Sequence, residues 1–406
     1  MLKKNAGATA GWAIVATLSV CSGTALGATE TDPLTAAITG GKVDVDYRLR
    51  GEWVDQDGID EEATAYTGRL RLGYKTRDLN GFGGYVQLEH VDAFLGKDYN
   101  STDNGKTQFP VVADPADTEL NQAYLSYGGF YDTDMKLGRQ RIILDNARFV
   151  GNVGWRQNEQ TFDAFSIQNK SLTKTVLTYA YLDRVQNITF DEIELSAHLL
   201  NAAYDLAPWA KLIGYGYLLD FEQDAGPTQD TQTLGLRAQG AMPAGSAKLL
   251  YTLEYARQGD YQDSGSVVDA DYYLIEAGAV LSGITVKLSR EVLGGDGVYN
   301  FQTPLATKHA FNGWADKFLG DSIAGGKGLQ DNFLTVSGAV MGVTLTAMVH
   351  DFKSDAGDQD YGTEWDVMAT KPVTPNLSLA LKYADYQADT FATDTQKIWL
   401  MGEFKF

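Results

Sequence analysis

From residue 42 to the C-terminus, apolar and polar residues alternate with a period of two. Val43, Val45, Tyr47, Leu49 and Trp53 interleave with Asp44, Asp46, Arg48, Arg50 and Glu52. Tyr66, Gly68, Leu70, Leu72 and Tyr74 interleave with Thr67, Arg69, Arg71 and Lys75. Successive strand side chains point to opposite faces, so each run reads as a strand with one apolar and one polar face. The pattern recurs at Ile213, Tyr215, Tyr217, Leu219 and Phe221, then at Leu249, Tyr251, Leu253 and Tyr255. It appears again at Ile284, Val286, Leu288 and Val292, at Leu377, Leu379, Leu381 and Tyr383, and at Ile398, Leu400, Gly402, Phe404 and Phe406. Strands are expected over residues 42–54, 65–76, 82–91, 119–127, 134–142, 161–169, 173–183, 194–205, 211–221, 231–242, 247–257, 269–281, 284–292, 331–340, 343–352, 362–371, 377–387 and 395–406.

A soluble sandwich alternates too, and connection lengths separate the two classes. Joins after even-numbered strands are short: Asp78-Leu79-Asn80-Gly81, Pro243-Ala244-Gly245-Ser246, Ser282-Gly283 and Met341-Gly342. Joins after odd-numbered strands are longer and polar, the longest covering about 92–118 and 293–330. Short turns at one end and long loops at the other are the layout of an all-β transmembrane antiparallel β-barrel of about 18 strands, with short periplasmic turns and long extracellular loops. Closure pairs every sheet edge, which a lipid environment requires. No stretch of 18 apolar residues occurs, so a membrane-spanning helix is not expected.

The N-terminus reads differently. Lys3 and Lys4 precede an apolar run from Gly11 to Val20, followed by Ser22-Gly23-Thr24-Ala25-Leu26-Gly27-Ala28. These are the three parts of a signal peptide, expected to span 1–27 with cleavage before Ala28. Lipid attachment at Cys21 is the alternative, but Val20 stands where a small residue is wanted. Residues 28–41 are expected to be an N-terminal periplasmic segment, and 42–406 the barrel. Cys21 is the single cysteine, so the exported chain would carry no disulfide.

Composition sharpens this picture. The formal net charge of -20 excludes unaided nucleic-acid binding, which needs a basic footprint. Much of the acidic excess lies in connections such as Asp55–Glu62 and Asp351–Asp360. If apolar faces meet lipid, polar faces line the lumen. Arg48, Arg50, Arg69, Arg71 and Lys75 then stand inside on adjacent strands. Arg139 and Arg141 have matching parity, although Leu137 shares their face. Guanidinium groups on a pore wall would favour anions, carboxylates above all. Equally, they could pair with Asp44, Asp46 and Glu52 and only brace the wall.

Two long connections carry further candidates. LGRQRIILDNARFVGNVGWRQNEQTFDA, from Leu137 to Ala164, adds Arg148 and Arg156, with Asp145, Asn152, Trp155 and Gln157. FQTPLATKHAFNGWADKFLG, from Phe301 to Gly320, adds Lys308, His309, Asn312, Trp314, Asp316 and Lys317. Long aromatic-bearing loops are usually functional, and inward folding over 92–118, 143–160 and 293–330 would narrow the pore; a packed extracellular cap is the alternative.

Both segments, with ELNQAYLSY at Glu119–Tyr127, resemble the alginate-export family of Gram-negative outer-membrane porins. The resemblance spans most of the chain after residue 27. It implies an 18-stranded monomeric barrel and passive solute passage through an Arg-lined lumen. Arg139, Arg141, Arg148 and Arg156 would be the solute contacts, and the solute an anionic small molecule or a polysaccharide such as alginate. The turn Lys371-Pro372-Val373-Thr374-Pro375-Asn376 is short where the alginate exporter has a long plug loop. A C-terminal Phe406 on the apolar face is the kind of strand end the outer-membrane assembly machinery reads.

Other chemistries are weaker. Ser196 and His198 share strand parity and could form a nucleophile–base pair, but no third orienting group stands out. No Cys/His spacing fits zinc, Asp55–Glu62 misplaces its Gly for a calcium loop, and no phosphate-binding Gly pattern occurs, so no cofactor is expected. Loop carboxylates could hold Ca²⁺ against lipopolysaccharide phosphates; solvated loop charge is the plainer reading.

Overall fold

The computed structural model describes residues 32–222, 230–265 and 267–406. The expected signal peptide lies outside the described residues. A short helix, α1 (Pro33–Thr39), is capped by the Asp32 carboxylate and leads into the first strand. Eighteen strands follow: β1 (Lys42–Gln56), β2 (Ala63–Lys75), β3 (Phe82–Asp98), β4 (Asp117–Phe130), β5 (Thr133–Gln140), β6 (Thr161–Asn169), β7 (Thr175–Gln186), β8 (Glu192–Ala207) and β9 (Ala210–Phe221). The second half comprises β10 (Thr231–Ala244), β11 (Ala247–Asp260), β12 (Asp269–Leu281), β13 (Ile284–Leu293), β14 (Leu329–Val340), β15 (Val343–Lys353), β16 (Asp360–Pro372), β17 (Leu377–Ala388) and β18 (Thr395–Lys405). Each strand pairs antiparallel with its sequence neighbours, and β18 pairs with β1, so the sheet closes. At the seam Tyr47 faces Phe404, and Val45 and Phe406 exchange backbone hydrogen bonds at 2.8 and 2.9 Å. No helix among the described residues is long and apolar enough to cross a membrane; the strands do the crossing.

The tight turns follow from residues that accept a positive φ. Ser282-Gly283 and Met341-Gly342 hold positive φ at both central positions, the form whose twist matches paired strands. Gly342 has open space around it, so a methyl group there meets only the backbone penalty. Gly342→Ala should therefore lower stability by about 1–2 kcal/mol, read from denaturant unfolding in detergent micelles. Met341→Asn should cost nothing, since Asn tolerates this conformation.

The outward face is apolar, with Leu70, Leu72, Leu253, Leu288, Leu381 and Leu400 all exposed. Tyr47, Phe82, Tyr131, Trp209 and Phe406 are exposed toward the turn end. Trp53 stacks edge-on with Tyr66, and Trp365 packs on Tyr383, toward the loop end. Two aromatic belts around an apolar band match the two membrane interfaces.

One strand departs from the expected facing. Ile213, Tyr215, Tyr217 and Leu219 of β9 are buried inside the barrel rather than turned to lipid. The reason is visible in the other parity. Leu212, Gly214, Gly216 and Leu218 can themselves meet lipid, so period two could not choose between the faces. Inside, Phe149 supplies the apolar partner, with ring centroids 5.3 Å from Tyr215, 5.1 Å from Tyr272 and 5.8 Å from Phe301. A hydrophobic core thus fills part of the lumen and stabilises the inward loops as any protein core does.

Candidate functional site in the lumen

Three extracellular connections turn inward. Residues 141–160 and 294–328 form one body: Gly151 N donates to Leu305 O at 2.9 Å, and Thr307 N to Ala147 O at 3.0 Å. Residues 99–116 contribute Asp114, whose carboxylate accepts from Gln157 N at 2.8 Å. The inward-folding reading of these loops describes the structure; an external cap does not.

The wall of β1, β2 and β18 holds this plug. Register places Arg48 directly beside Arg69, so carboxylates must intervene. Glu403 lies 2.9 Å from Arg48 and 3.3 Å from Arg69, and Asp46 lies 2.6 Å from Arg69. Arg48 also donates to the carbonyls of Gly154, Trp155 and Arg156 at 3.1 to 3.2 Å. Arg50 is buried, pairs with Asp114 at 3.4 Å, donates to Trp155 O and stacks over the Trp155 ring at 4.5 Å. Arg71 pairs with Glu89 and reaches Glu159 at 3.6 Å.

The plug's own charges are equally paired. Arg148 binds Glu291 at 2.7 Å and Asn312 at 3.0 Å. Arg156 binds Glu52 at 3.1 Å and Asp316 at 3.0 Å, while Lys397 reaches Asp316 at 2.8 Å. His309 lies between Asp316 and Lys382, with Nε2 2.6 Å from Lys382 Nζ. Burial pushes the His309 imidazole well below its usual range, against the pull of Asp316, so it is neutral. A neutral ring donating from Nδ1 to Asp316 can accept at Nε2 from Lys382 Nζ. Lys382 Nζ is boxed by the rings of Trp314 and Trp155 at 3.7 and 4.0 Å.

Glu159 is the loop's main anchor. It accepts from Arg141 Nε at 2.8 Å, Asn121 at 2.7 Å and Asn152 at 2.6 Å. Burial alone would raise its pKa, but Arg71 and Arg141, with the hydrogen bonds, hold it down at about 2.

The nine cations singled out in the sequence therefore fall into three groups. Arg48, Arg50, Arg69, Arg71, Arg148 and Arg156 are laced to carboxylates inside the barrel. Arg139 is on the outer face, a correction to the lumenal placement. It shares parity with Leu137, which is exposed to lipid, and pairs with Asp163 at 2.8 Å near the loop end. Lys75 and Arg141 face a lumenal cavity of about 520 Å³ on the periplasmic side of the plug. Lys136 joins them, lying over the Tyr124 ring at 4.8 Å. Lys136 stands outside the Arg-rich patterns, yet its parity opposite lipid-facing Leu137 points inward. No ion pair engages Lys75 or Lys136 among the described residues, and the Arg141 side chain keeps 34% of its surface exposed.

Ser196 and His198 do not contact each other. The nearest partners are Tyr181 and Tyr179, at 3.5 and 2.9 Å, on the outward parity of β7 and β8. Among the described residues no group of three or more His, Cys, Asp or Glu side chains is placed to hold a metal ion.

Comparisons agree with this architecture. The structure resembles outer-membrane barrels at low identity: Pseudomonas aeruginosa OpdK with vanillate (14% identical, 90% of this chain and 98% of that chain, TM-score 0.70). It likewise resembles P. aeruginosa OccK9 (OpdG) (16%, 91% and 99%, 0.70) and Acinetobacter baumannii OccAB4 (12%, 90% and 98%, 0.69). No curated relative matches by sequence. The family described as alginate export matches residues 43–289, more than half of the chain. This closed 18-stranded barrel is a porin of the Gram-negative outer membrane and belongs to the alginate-export family.

Proposed function

We propose that the chain is a monomeric channel for passive passage of small carboxylated solutes, sugar acids above all. The observation that carries this reading is the cluster of Lys75, Lys136 and Arg141 on one lumenal cavity. Most other lumenal arginines are neutralised by carboxylates within the protein. Lys75 and Lys136 carry no ion pair among the described residues, and Arg141, though bound to Glu159, keeps part of its side chain exposed to the cavity, so a passing carboxylate there can exchange hydration for charge-assisted hydrogen bonds. Ser166 and Gln168 on the same wall supply neutral partners for hydroxyl groups. The inward plug favours a small solute over a polymer. That OpdK was crystallised with vanillate, itself a carboxylate, fits this reading by analogy of fold.

A porin for neutral solutes is the second reading, favoured by the carboxylate lacing of the remaining arginines. Planar-bilayer reversal potentials under a salt gradient separate the two. The wild type should prefer anions, and the double variant Lys75→Gln, Lys136→Gln should lose most of that preference while the Arg141–Glu159 anchor of the plug stays in place. Cation preference in the wild type rejects the carboxylate reading and leaves the channel intact. An unchanged potential in the double variant favours the neutral-solute porin.

A further inference from the structure

The helix α1 sits outside the barrel wall. Tyr74, near the end of β2, donates its hydroxyl to Ile38 O and accepts from Gly41 N at 3.0 Å. Tyr74 is outward, since it shares parity with exposed Leu70 and Leu72 and pairs with exposed Val43. Arg77 N donates to Ala37 O at 3.0 Å, and Arg77 Nε donates to Gly40 O. Gly41 permits this crossing, because a Cβ there would come within 2.4 Å of the Tyr74 hydroxyl. The helix is therefore clamped against the lipid-facing side at the turn end, which is the periplasmic end.

Its faces are unequal. Leu34, Ala37 and Ile38 share one stripe by helical spacing. Ala37 is buried, whereas Leu34 and Ile38 are 55% and 51% exposed. Thr35 and Thr39 lie off this stripe, with hydroxyls already bonded to Asp32 and to Thr35 O. The two exposed aliphatic side chains continue the apolar band of Val43 and Leu72 beyond the strand ends. Exposed Arg77 flanks them, at the level where lipid phosphates lie. A short amphipathic helix with this arrangement partitions into the headgroup–acyl boundary.

We propose that α1 is an interfacial anchor lying in the periplasmic leaflet, with Leu34 and Ile38 inserted among phospholipid acyl chains. Single spin labels at positions 34, 35, 38 and 39, in full-length chain carrying Cys21→Ser, test this in vesicles of phosphatidylethanolamine and phosphatidylglycerol. Labels replacing Leu34 and Ile38 should collide with oxygen severalfold more, relative to a water-soluble nickel chelate, than labels replacing Thr35 and Thr39. Equal nickel accessibility at all four positions overturns the proposal in favour of a solvated helix. Protection of positions 34 and 38 from both reagents overturns it in favour of a protein partner or second copy. Leu34→Asp should keep the barrel folded by heat-modified gel mobility while lowering the oxygen-to-nickel accessibility ratio at a label replacing Ile38; an unchanged ratio there also counts against insertion.

Discussion

Arg156→Met should destabilise the barrel by about 3–5 kcal/mol, the usual consequence of leaving a buried ion unpaired, and should loosen the plug. Arg156 is the side chain through which the 141–160 loop grips both the wall at Glu52 and the 294–328 loop at Asp316. Asp316 keeps Lys397 and His309 after the substitution. Glu52 is completely buried and loses its ion-pair partner. Adding Glu52→Gln to Arg156→Met should recover much of the loss, because the orphaned charge is then gone. Guanidinium chloride unfolding in detergent micelles reads the stability. Single-channel recording should show larger and more fluctuating conductance in Arg156→Met than in the wild type. A variant that unfolds at the wild-type midpoint with unchanged conductance would show that this pair does not fasten the plug.

The barrel was legible because its signals are local. Alternation sets the faces of β1, β2 and β18, and Ser282-Gly283 or Met341-Gly342 can hardly be anything but tight turns. Where both parities tolerate lipid, as in β9, the same rule is silent, and tertiary packing on Phe149 decides. Arg139 turned outward because Leu137 governs the parity of β5, a conflict already visible in the sequence. The site was harder to read. Nothing local tells Arg156 that Glu52 and Asp316 will surround it, since those contacts depend on two loops meeting inside a closed sheet. The arginines with the most suggestive pattern proved to be braced, and the solvent-facing cations Lys75, Lys136 and Arg141 carry the weaker sequence signal. Net charge misleads for the same reason, because a solute in the lumen feels the charges left uncompensated on the wall rather than the sum over the loops.

Acid should release the plug in a window set by Glu159. Its folded-state pKa is held at about 2, below the ordinary carboxylate value of 4.5. A depressed carboxylate stabilises the folded state fully above its unfolded pKa, and that contribution drains away as pH falls through the folded value. The shift corresponds to about 3 kcal/mol at neutral pH, which is the order of a buried, multiply bonded carboxylate. Glu159→Gln should therefore unfold at lower denaturant than the wild type at pH 6, and the two curves should converge as pH falls from about 4.5 toward 2. The convergence isolates Glu159, because every other carboxylate titrates in both proteins. Channel recordings should follow the same course: wild-type conductance stays plugged at pH 5 and begins to fluctuate near pH 3, whereas Glu159→Gln fluctuates at both. Parallel stability curves across that range, with a constant gap, would mean that the Arg71–Glu159–Arg141 contact holds the loop by shape rather than by charge.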